Sequence, residues 1–231
     1  MEKTSKSSSW QALAIIVGFP ILYMSFCETA FAKALFVTGD LSYYIPFWGS
    51  IILIHWISVF AVFRFLKKES LTLADIGYKL SRKNTIRFIS YYALAAVLLL
   101  IGVEITLSDF ELDSTQLGSL SGLIPKTTTH RIFFILLVFS TGFCEEIVYR
   151  GFAITQLQKM GLNKWIALII AALLFIGIHG FNAYSGRFVF LFGGGIMFGL
   201  VFLSSKRLLP SIIIHLVINL SAMMAILQLL K

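Results

Sequence analysis

Long apolar runs separated by short polar segments dominate the chain. Because about 20 apolar residues cross the hydrocarbon core as an α-helix, each of these runs is a candidate membrane span. We predict an all-α fold, a polytopic membrane bundle of about seven transmembrane helices, with roughly six to eight as the range. The predicted spans are 10–32, 43–66, 88–107, 131–150, 163–180, 187–204 and 208–230, and the fourth has room to continue to Lys159.

Segment 67–87 is a basic hydrophilic connector between the second and third spans. Leu71, Leu73, Ile76 and Leu80 recur in it at spacings that suit either an amphipathic surface helix or a solvated connector. An amino terminus in the cytoplasm places this connector and most other lysines and arginines inside, as the positive-inside rule requires. We therefore expect a multi-pass protein of the cell membrane with a cytoplasmic amino terminus.

Glycines mark the sixth predicted span. Gly193, Gly194, Gly195 and Gly199 leave a smooth face for close contact with another helix. The seventh span begins with Pro210 in its first turn, a position that proline favours.

Composition agrees with a membrane protein and narrows the functions. The 231 residues are 58% hydrophobic and 13% charged, which is far from the composition of soluble domains. The net charge of +8 does not indicate nucleic-acid binding, because the basic residues lie at the ends of apolar runs. Cys27 and Cys144 lie in or beside such runs, which predicts buried thiols and no disulfide framework. A single membrane domain, 1–231, is the expected organisation.

Two carboxylates and a guanidinium follow the apolar run of the fourth span. An ionised side chain at membrane depth costs about 2.5–3.5 kcal/mol, so this cluster of Glu145, Glu146 and Arg150 indicates function. On an unbroken α-helix, Glu146 and Arg150 share a face while Glu145 points about 100° away. Arg150 would then neutralise Glu146 as structural support and leave Glu145 free for chemistry.

Polar side chains also interrupt the fifth and seventh spans. Phe175 and His179 are four residues apart, as are His215 and Asn219, so each pair can point inward from one helical face. On chemical grounds His179 and His215 are the residues of interest, and we expect Phe175 to be structural support.

Glu145, His179 and His215 together have two chemical interpretations. In the first they bind a zinc ion whose open position holds a reactive water. In the second no cofactor is required: Glu145 and His179 deprotonate a water that attacks a peptide carbonyl, and His215 and Asn219 donate hydrogen bonds to the oxyanion. Since asparagine is an awkward zinc ligand and a good oxyanion donor, we favour the second. Any single one of these residues could serve only as a polar link between helices, but that role is a poor explanation for the whole set.

The depths of the two catalytic candidates conflict if the helices are straight. Glu145 and His179 then lie at different levels of a core about 30 Å thick. An extension of the fourth span towards Lys159, a tilt of the fifth span, or a break beside Gly177 and Gly180 would bring them together.

Other polar residues receive simpler interpretations. His55 stands alone between apolar neighbours beside Trp56, so we expect a hydrogen-bonded structural histidine. Glu28 and Glu104 lie near the outer ends of their spans, and His130 lies in a loop. The chain contains no Gly-x-Ser-x-Gly and no His-Glu-x-x-His sequence, so neither a serine hydrolase nor an ordinary zinc protease is supported.

Three short motifs together resemble those of the CPBP family. They are Glu-Glu-x-x-x-Arg at 145–150, Phe-x-x-x-His at 175–179 and His-x-x-x-Asn at 215–219. That family groups CAAX-type prenyl-protein endopeptidases with bacteriocin-processing and immunity-associated (Abi-like) membrane proteins. The resemblance covers about 131–230, our predicted peptidase core, and the first three spans carry no matching motif.

The resemblance implies an intramembrane endopeptidase in which Glu145 and His179 activate water and His215 and Asn219 line the oxyanion site. The family was long described as metalloproteases, so zinc stays open. The implied substrate is a membrane-embedded or lipid-modified peptide in the lipid bilayer. The compact length resembles bacterial members, for which peptide pheromones, bacteriocin precursors and leader peptides are the candidates.

Two other classes of function stay open. The family's mixed membership allows a non-catalytic bacteriocin-immunity or signalling-partner protein that works by binding. A small transporter would also place polar residues around a cavity, but no inverted repeat is evident between the halves of the chain. The sequence does not indicate an oligomeric state.

Overall fold

The computed structural model describes residues 6–79, 86–90, 93, 94, 97, 122 and 124–228. Within these residues the regular elements are helices and no strand is present, which confirms the all-α class. The elements are α1 Lys6–Cys27, α2 Ala30–Phe36, α3 Tyr44–Lys68, α4 Thr128–Glu145, a π-helical segment Glu146–Ile154, α5 Thr155–Lys159, α6 Lys164–Gly177, α7 Ala183–Gly186, α8 Phe188–Ser205 and α9 Leu208–Gln228. Short 3₁₀ helices cover Leu41–Tyr43 and Leu73–Ile76.

The long helices confirm a polytopic membrane bundle. In the described part of the chain, 4 helices are long and apolar enough to cross a membrane, namely Ser8–Cys27, Leu41–Lys68, Thr128–Lys159 and Phe188–Ser205. The shorter apolar helices Lys164–Gly177 and Leu208–Met224 correspond to the fifth and seventh predicted spans. Most of the third predicted span lies outside the described residues. The chain is therefore a multi-pass membrane protein, and the cytoplasmic amino terminus stays a prediction.

The first predicted span ends earlier than expected. α1 stops at Cys27, and Thr29 has an extended backbone with φ −68° and ψ 157°. The side chain of Thr29 accepts a hydrogen bond from the backbone of Ala32 and so caps a separate helix, α2. Apolar residues resume directly after Glu28 and Thr29, which is why the sequence alone predicts one longer span.

The described part of the basic connector packs against the bundle. Leu73–Ile76 forms a single 3₁₀ turn, which Gly77 closes with a φ of 88°. Ile76 is buried, and the carbonyl of Gly77 accepts a hydrogen bond of 2.9 Å from the backbone N–H of Leu208. These contacts exclude a longer amphipathic surface helix over the described residues of this segment.

The π-helical segment lies at the centre of the bundle. Its 9 residues are all buried, and it contacts α1, α3, α6, α8 and α9. The predicted unbroken α-helix from Glu145 to Arg150 is therefore wrong, although helical structure does continue to Lys159. Apolar periodicity indicates a helix without distinguishing i→i+4 from i→i+5 hydrogen bonding. Such π-helical turns are rare and are frequently found at functional sites.

Two of the four glycines in the sixth span serve close packing of α8 on α6. A Cβ added at Gly195 would lie 3.0 Å from the Cβ of Ala172, and one at Gly199 would overlap the Leu168 side chain. A Cβ added at Gly193, by contrast, would have no atom within 4 Å. The smooth helix face predicted from the sequence is therefore confined to Gly195 and Gly199.

α6 ends just before His179. Its last residue is Gly177, and Gly180 turns the chain with a φ of 88°. The backbone N–H of His179 donates to the carbonyl of Ile176 at 3.0 Å, which holds the turn. This break and the continuation of the fourth span to Lys159 are two of the features expected to bring Glu145 and His179 to one level.

Candidate active site

Glu145 is the last residue of α4, at the junction with the π-helical segment. Its side chain is buried and faces two imidazoles from different helices. Oε1 lies 3.0 Å from Nε2 of His55 on α3, and Oε2 lies 3.7 Å from Nε2 of His215 on α9. Because a buried carboxylate is strongly unfavourable without polar partners, these contacts explain how the residue is tolerated.

The side chains of His55 and Glu145 share a proton in a hydrogen bond. Nδ1 of His55 lies 2.8 Å from the carbonyl oxygen of Ile51, and a carbonyl oxygen only accepts hydrogen bonds. Nδ1 therefore carries a hydrogen. The contact of 3.0 Å between Nε2 and the carboxyl oxygen requires a second proton, on either the ring or the carboxyl group.

Glu146 is fully buried and joins two further residues of the site. Its Oε1 lies 3.2 Å from Nη1 of Arg150, the ion pair that the spacing predicts. The same oxygen lies 2.9 Å from Nδ1 of His215. Glu146 therefore contacts the seventh predicted span as well as its own helix.

Arg150 lies between two aromatic rings. Its guanidinium carbon is 4.2 Å from the ring centre of Phe175 and 5.1 Å from that of Phe198. Such cation–π contacts stabilise a desolvated cation. Phe175 thus supports Arg150 as well as His179, whose ring centre lies 5.1 Å away.

His215 is held on three sides. Phe198 stacks on its ring with centres 4.5 Å apart and planes at 15°. Nδ1 contacts Glu146, and Nε2 is directed towards Glu145. The ring orientation is therefore fixed before any substrate binds.

His179 lies in the turn after α6. Its Nδ1 is 3.2 Å from the carbonyl oxygen of Phe175, so Nδ1 carries the hydrogen and Nε2 of a neutral ring keeps a lone pair. Arg187 donates a hydrogen bond of 3.4 Å to the His179 carbonyl. His179 lies within electrostatic range of Glu145 and His215.

Asn219 is one turn after His215 on α9. Its Nδ2 donates to Oγ1 of Thr141 on α4 at 3.1 Å. Since an amide NH₂ carries two hydrogens, one donor stays available on this side chain.

His179, His215 and Asn219 share a cavity of about 110 Å³. The remaining lining is largely apolar and comes mostly from α8 and α9, including Phe190, Met197 and Ile218. A cavity of this size has room for water beside the polar groups. The structure thus collects in one place the histidines and the amide that the sequence singles out.

His55 is the site residue that the sequence interpretation missed. It is a hydrogen-bonded histidine, as expected, but its partner is Glu145. Tyr23 packs edge-on against the same ring at 5.0 Å. An ionisable residue inside a membrane span is a functional candidate by default, and this was the one signal available for His55.

The residues of the zinc hypothesis make other contacts. Glu145 bonds His55, His215 bonds Glu146, and Nδ1 of His179 bonds a backbone carbonyl. Among the described residues, no group of three or more His, Cys, Asp or Glu side chains is arranged to hold a metal ion. These contacts use Nδ1 of each histidine and Oε1 of Glu145, as the outer contacts of metal ligands also do, so it is the spacing of the three side chains that does not fit a zinc site. The expectation that no cofactor is required stays a prediction, with zinc as the alternative.

Comparison with known families identifies the carboxy-terminal part of the chain. Residues 127–221 match the family model described as type II CAAX prenyl endopeptidase Rce1-like. No curated protein and no solved structure matches the chain. The matched residues include both glutamates and the three polar residues of the cavity, and they exclude His55. The similarity to CAAX-type intramembrane proteases is therefore confined to residues 127–221, which are less than half of the chain.

Proposed function

We propose that this protein is an intramembrane endopeptidase that hydrolyses a peptide bond with water activated at Glu145. The observation that carries the proposal is the position of this carboxylate, buried between the imidazoles of His55 and His215. One carboxyl oxygen is engaged by His55, while the other makes no hydrogen bond to the described residues. That second oxygen, Oε2, is the base in our proposal.

In the proposed reaction, a water oxygen attacks the carbonyl carbon of the scissile bond while Oε2 of Glu145 takes a water proton. The carbonyl double bond opens, and its electron pair moves to the oxygen to form a tetrahedral oxyanion. The carbon–nitrogen bond then breaks, and the nitrogen receives the proton from Glu145. The products are a new carboxyl terminus and a new amine, and Glu145 is restored as a carboxylate.

The neighbouring side chains suit complementary roles in this reaction. His179 donates from Nδ1 to a backbone carbonyl, so its Nε2 can accept a hydrogen bond from the attacking water and orient it. His215 contacts Glu146 through Nδ1, so its Nε2 donates to the oxyanion when both ring nitrogens carry protons. The free hydrogen of the Asn219 amide is the second oxyanion donor.

The surroundings favour a membrane-associated or lipid-modified peptide as the substrate. The cavity beside the polar groups is lined largely by apolar side chains, which would accept an apolar residue next to the scissile bond. The description of the matched family points to prenylated peptides that end in a CAAX sequence.

Peptides recovered from membrane and medium test the proposal. Cells would carry the native chain, Glu145→Gln or the control Glu28→Gln, at matched abundance. Glu28 is an exposed carboxylate at the end of α1, so its replacement tests charge loss away from the site. We expect a peptide that is present with the native chain and the control and absent with Glu145→Gln.

The same experiment separates proteolysis from a binding role. Equal peptide patterns with the native chain and Glu145→Gln would contradict the endopeptidase proposal. A bacteriocin-immunity or signalling phenotype that Glu145→Gln still rescues would favour the non-catalytic alternative. In that case, neutralising Lys79, Arg82 and Lys83 of the basic connector is the next test.

A further inference from the structure

His55 lies outside the segment that matches the protease family and yet contacts its central carboxylate. We infer that His55 is a positioning residue for Glu145, so that the amino-terminal helices complete the active site. This inference rests on the proposed function, because it concerns the geometry of the base in that reaction.

The ring of His55 has one well-defined orientation. Nδ1 is bonded to the carbonyl of Ile51 one turn earlier on α3 at 2.8 Å. Tyr23 of α1 packs against the ring with an interplanar angle of 66°, and the residue is only 3% exposed. A ring held by its own helix and by α1 presents Nε2 in a fixed direction.

This fixed donor selects which carboxyl oxygen can act as the base. A glutamate side chain has several rotamers, and Glu145 has no ion pair with an arginine or lysine among the described residues. Nε2 of His55 engages Oε1 at 3.0 Å, which directs Oε2 towards His215. Catalytic groups must be held within about 0.5 Å of their productive positions, and supporting hydrogen bonds supply that restraint.

The packing of the bundle makes this restraint rigid. α3 runs along α4, and this helix pair has one of the most extensive contacts in the described structure. His55 and Glu145 lie on the facing sides of the two helices. The amino-terminal helices α1 and α3 therefore have a role in the site, although the sequence motifs lie entirely in the later part of the chain.

A structural histidine would also be bonded, so the test needs variants that separate the two roles. Glutamine places an N–H near the position of the histidine Nε2 and can still donate to Glu145. Asparagine places an N–H near the position of Nδ1 and reaches only the backbone carbonyl. Leucine has neither donor. His130 lies in the first turn of α4 and not in a loop as predicted. His130→Leu is a matched control, because His130 is also buried and stacks on Tyr44 at 4.2 Å, away from the glutamates.

The variants are compared as purified proteins in detergent, at equal folded concentration. The probe is an internally quenched peptide that carries a prenylated cysteine followed by three residues. We expect His55→Leu and His55→Asn to lower kcat by about 100-fold with little change in KM, because a small displacement of a catalytic group has an effect of that order. We expect His55→Gln to keep activity within about tenfold of native, and His130→Leu to keep native kcat.

Three results would overturn the inference. One is a kcat of His55→Leu that equals the kcat of the native protein. Another is equal loss of kcat in the glutamine and asparagine variants. The third is a loss of activity that is proportional to the fall in melting temperature in every variant, including His130→Leu. That result would show that His55 has a structural role only.

A melting experiment keeps the inference testable if the native chain cleaves nothing. A native protein that cleaves no peptide would show that the probe is unsuitable or that the proposed function is wrong. It would not contradict the contact between His55 and Glu145. His55→Leu is then compared in the native and Glu145→Leu backgrounds. We expect it to lower the melting temperature less in the second background, because its partner is already absent. Equal shifts in both backgrounds would overturn the inference.

Discussion

Oε1 of Glu146 lies 2.9 Å from Nδ1 of His215, 69 residues further along the chain. The same oxygen pairs with Arg150 at 3.2 Å. Glu146 is therefore more than the neutralising partner of an arginine, because it also orients a histidine of the cavity. The adjacent glutamates have different hydrogen-bond partners: Glu145 bonds His55 of α3, and Glu146 bonds His215 of α9.

This relationship predicts the effect of replacing Glu146. Glu146→Gln leaves the Arg150 cation buried without its counter-ion, and breaking a buried pair in this way costs about 3–5 kcal/mol. We expect a large fall in the melting temperature of the purified protein. Loss of the carboxylate that holds His215 should also lower kcat in the folded fraction.

A double replacement serves as the control for this prediction. Arg150→Met keeps apolar contact with Phe175 and Phe198, and it removes the unpaired charge when combined with Glu146→Gln. The double variant should therefore melt at a higher temperature than Glu146→Gln alone. A double variant that loses the sum of both single effects would contradict a coupled buried pair.

Gly180 allows a direct test of the turn that positions His179. Its φ is 88°, and a Cβ there would lie 3.3 Å from the Cβ of Cys27. Gly180→Ala should cost about 1–2 kcal/mol in backbone strain and displace the turn. We expect a lower melting temperature and a clear loss of peptidase activity.

Gly161 is a matched comparison for this variant. Its φ is 101°, and a Cβ there would have nothing within 4 Å. Gly161→Ala should lower the melting temperature through the same backbone strain while activity is kept. Equal activity of the two alanine variants would show that the turn at Gly180 does not position the site.

The glycine run of α8 predicts a contrast between two nearly adjacent positions. Gly195→Ala would place its Cβ 3.0 Å from Ala172 Cβ and 3.2 Å from Ala172 Cα, tight enough to push α8 from α6. Gly193→Ala meets no atom and should be neutral or stabilising, because alanine favours the helix by up to about 1 kcal/mol. Thermal unfolding of both variants measures the difference. A greater loss for Gly193→Ala would contradict the observed packing.

The connector predicts a weak dependence of stability on pH. Asp75 accepts hydrogen bonds of 2.7 Å from the backbone N–H and the hydroxyl of Thr72. These bonds lower the pKa of the Asp75 carboxyl in the folded protein. The contribution to stability is therefore present above the pKa of the unfolded chain and is lost as the pH falls through the folded pKa.

Asp75→Asn tests this contribution. Its melting temperature should lie slightly below that of the native protein at pH 7, and the gap should narrow as the medium is acidified. The effect is small because Asp75 is exposed to solvent. A difference in melting temperature that widens towards acid pH would show that the predicted direction of the pH dependence is wrong.

Several parts of the fold could be predicted because their causes are local. Long apolar runs indicate membrane-spanning helices, and 4 helices in the described part of the chain are long and apolar enough to cross a membrane. The ion pair of Glu146 and Arg150 follows from a spacing of four residues on one helix. The break near His179 follows from the glycines on either side of it.

Other features of the fold could not be predicted from the local pattern of apolar and polar residues. The π-helical segment has the same apolar residues as an α-helix would have, so the sequence predicted unbroken α-helical bonding. α1 ends at Cys27 and Thr29 caps a new helix, although apolar residues resume directly after Thr29. In both cases the backbone follows hydrogen bonds and packing that the pattern of side chains does not specify.

The sequence by itself determined that this is a helical membrane protein and that its polar residues form three short motifs. Those conclusions depend on composition and on spacings within single helices. Only the tertiary structure decided that His55 contacts Glu145 and that His215 contacts Glu146. Each pair joins two helices far apart in the chain, and a contact between helices depends on how they pack, which hydrophobic periodicity does not encode.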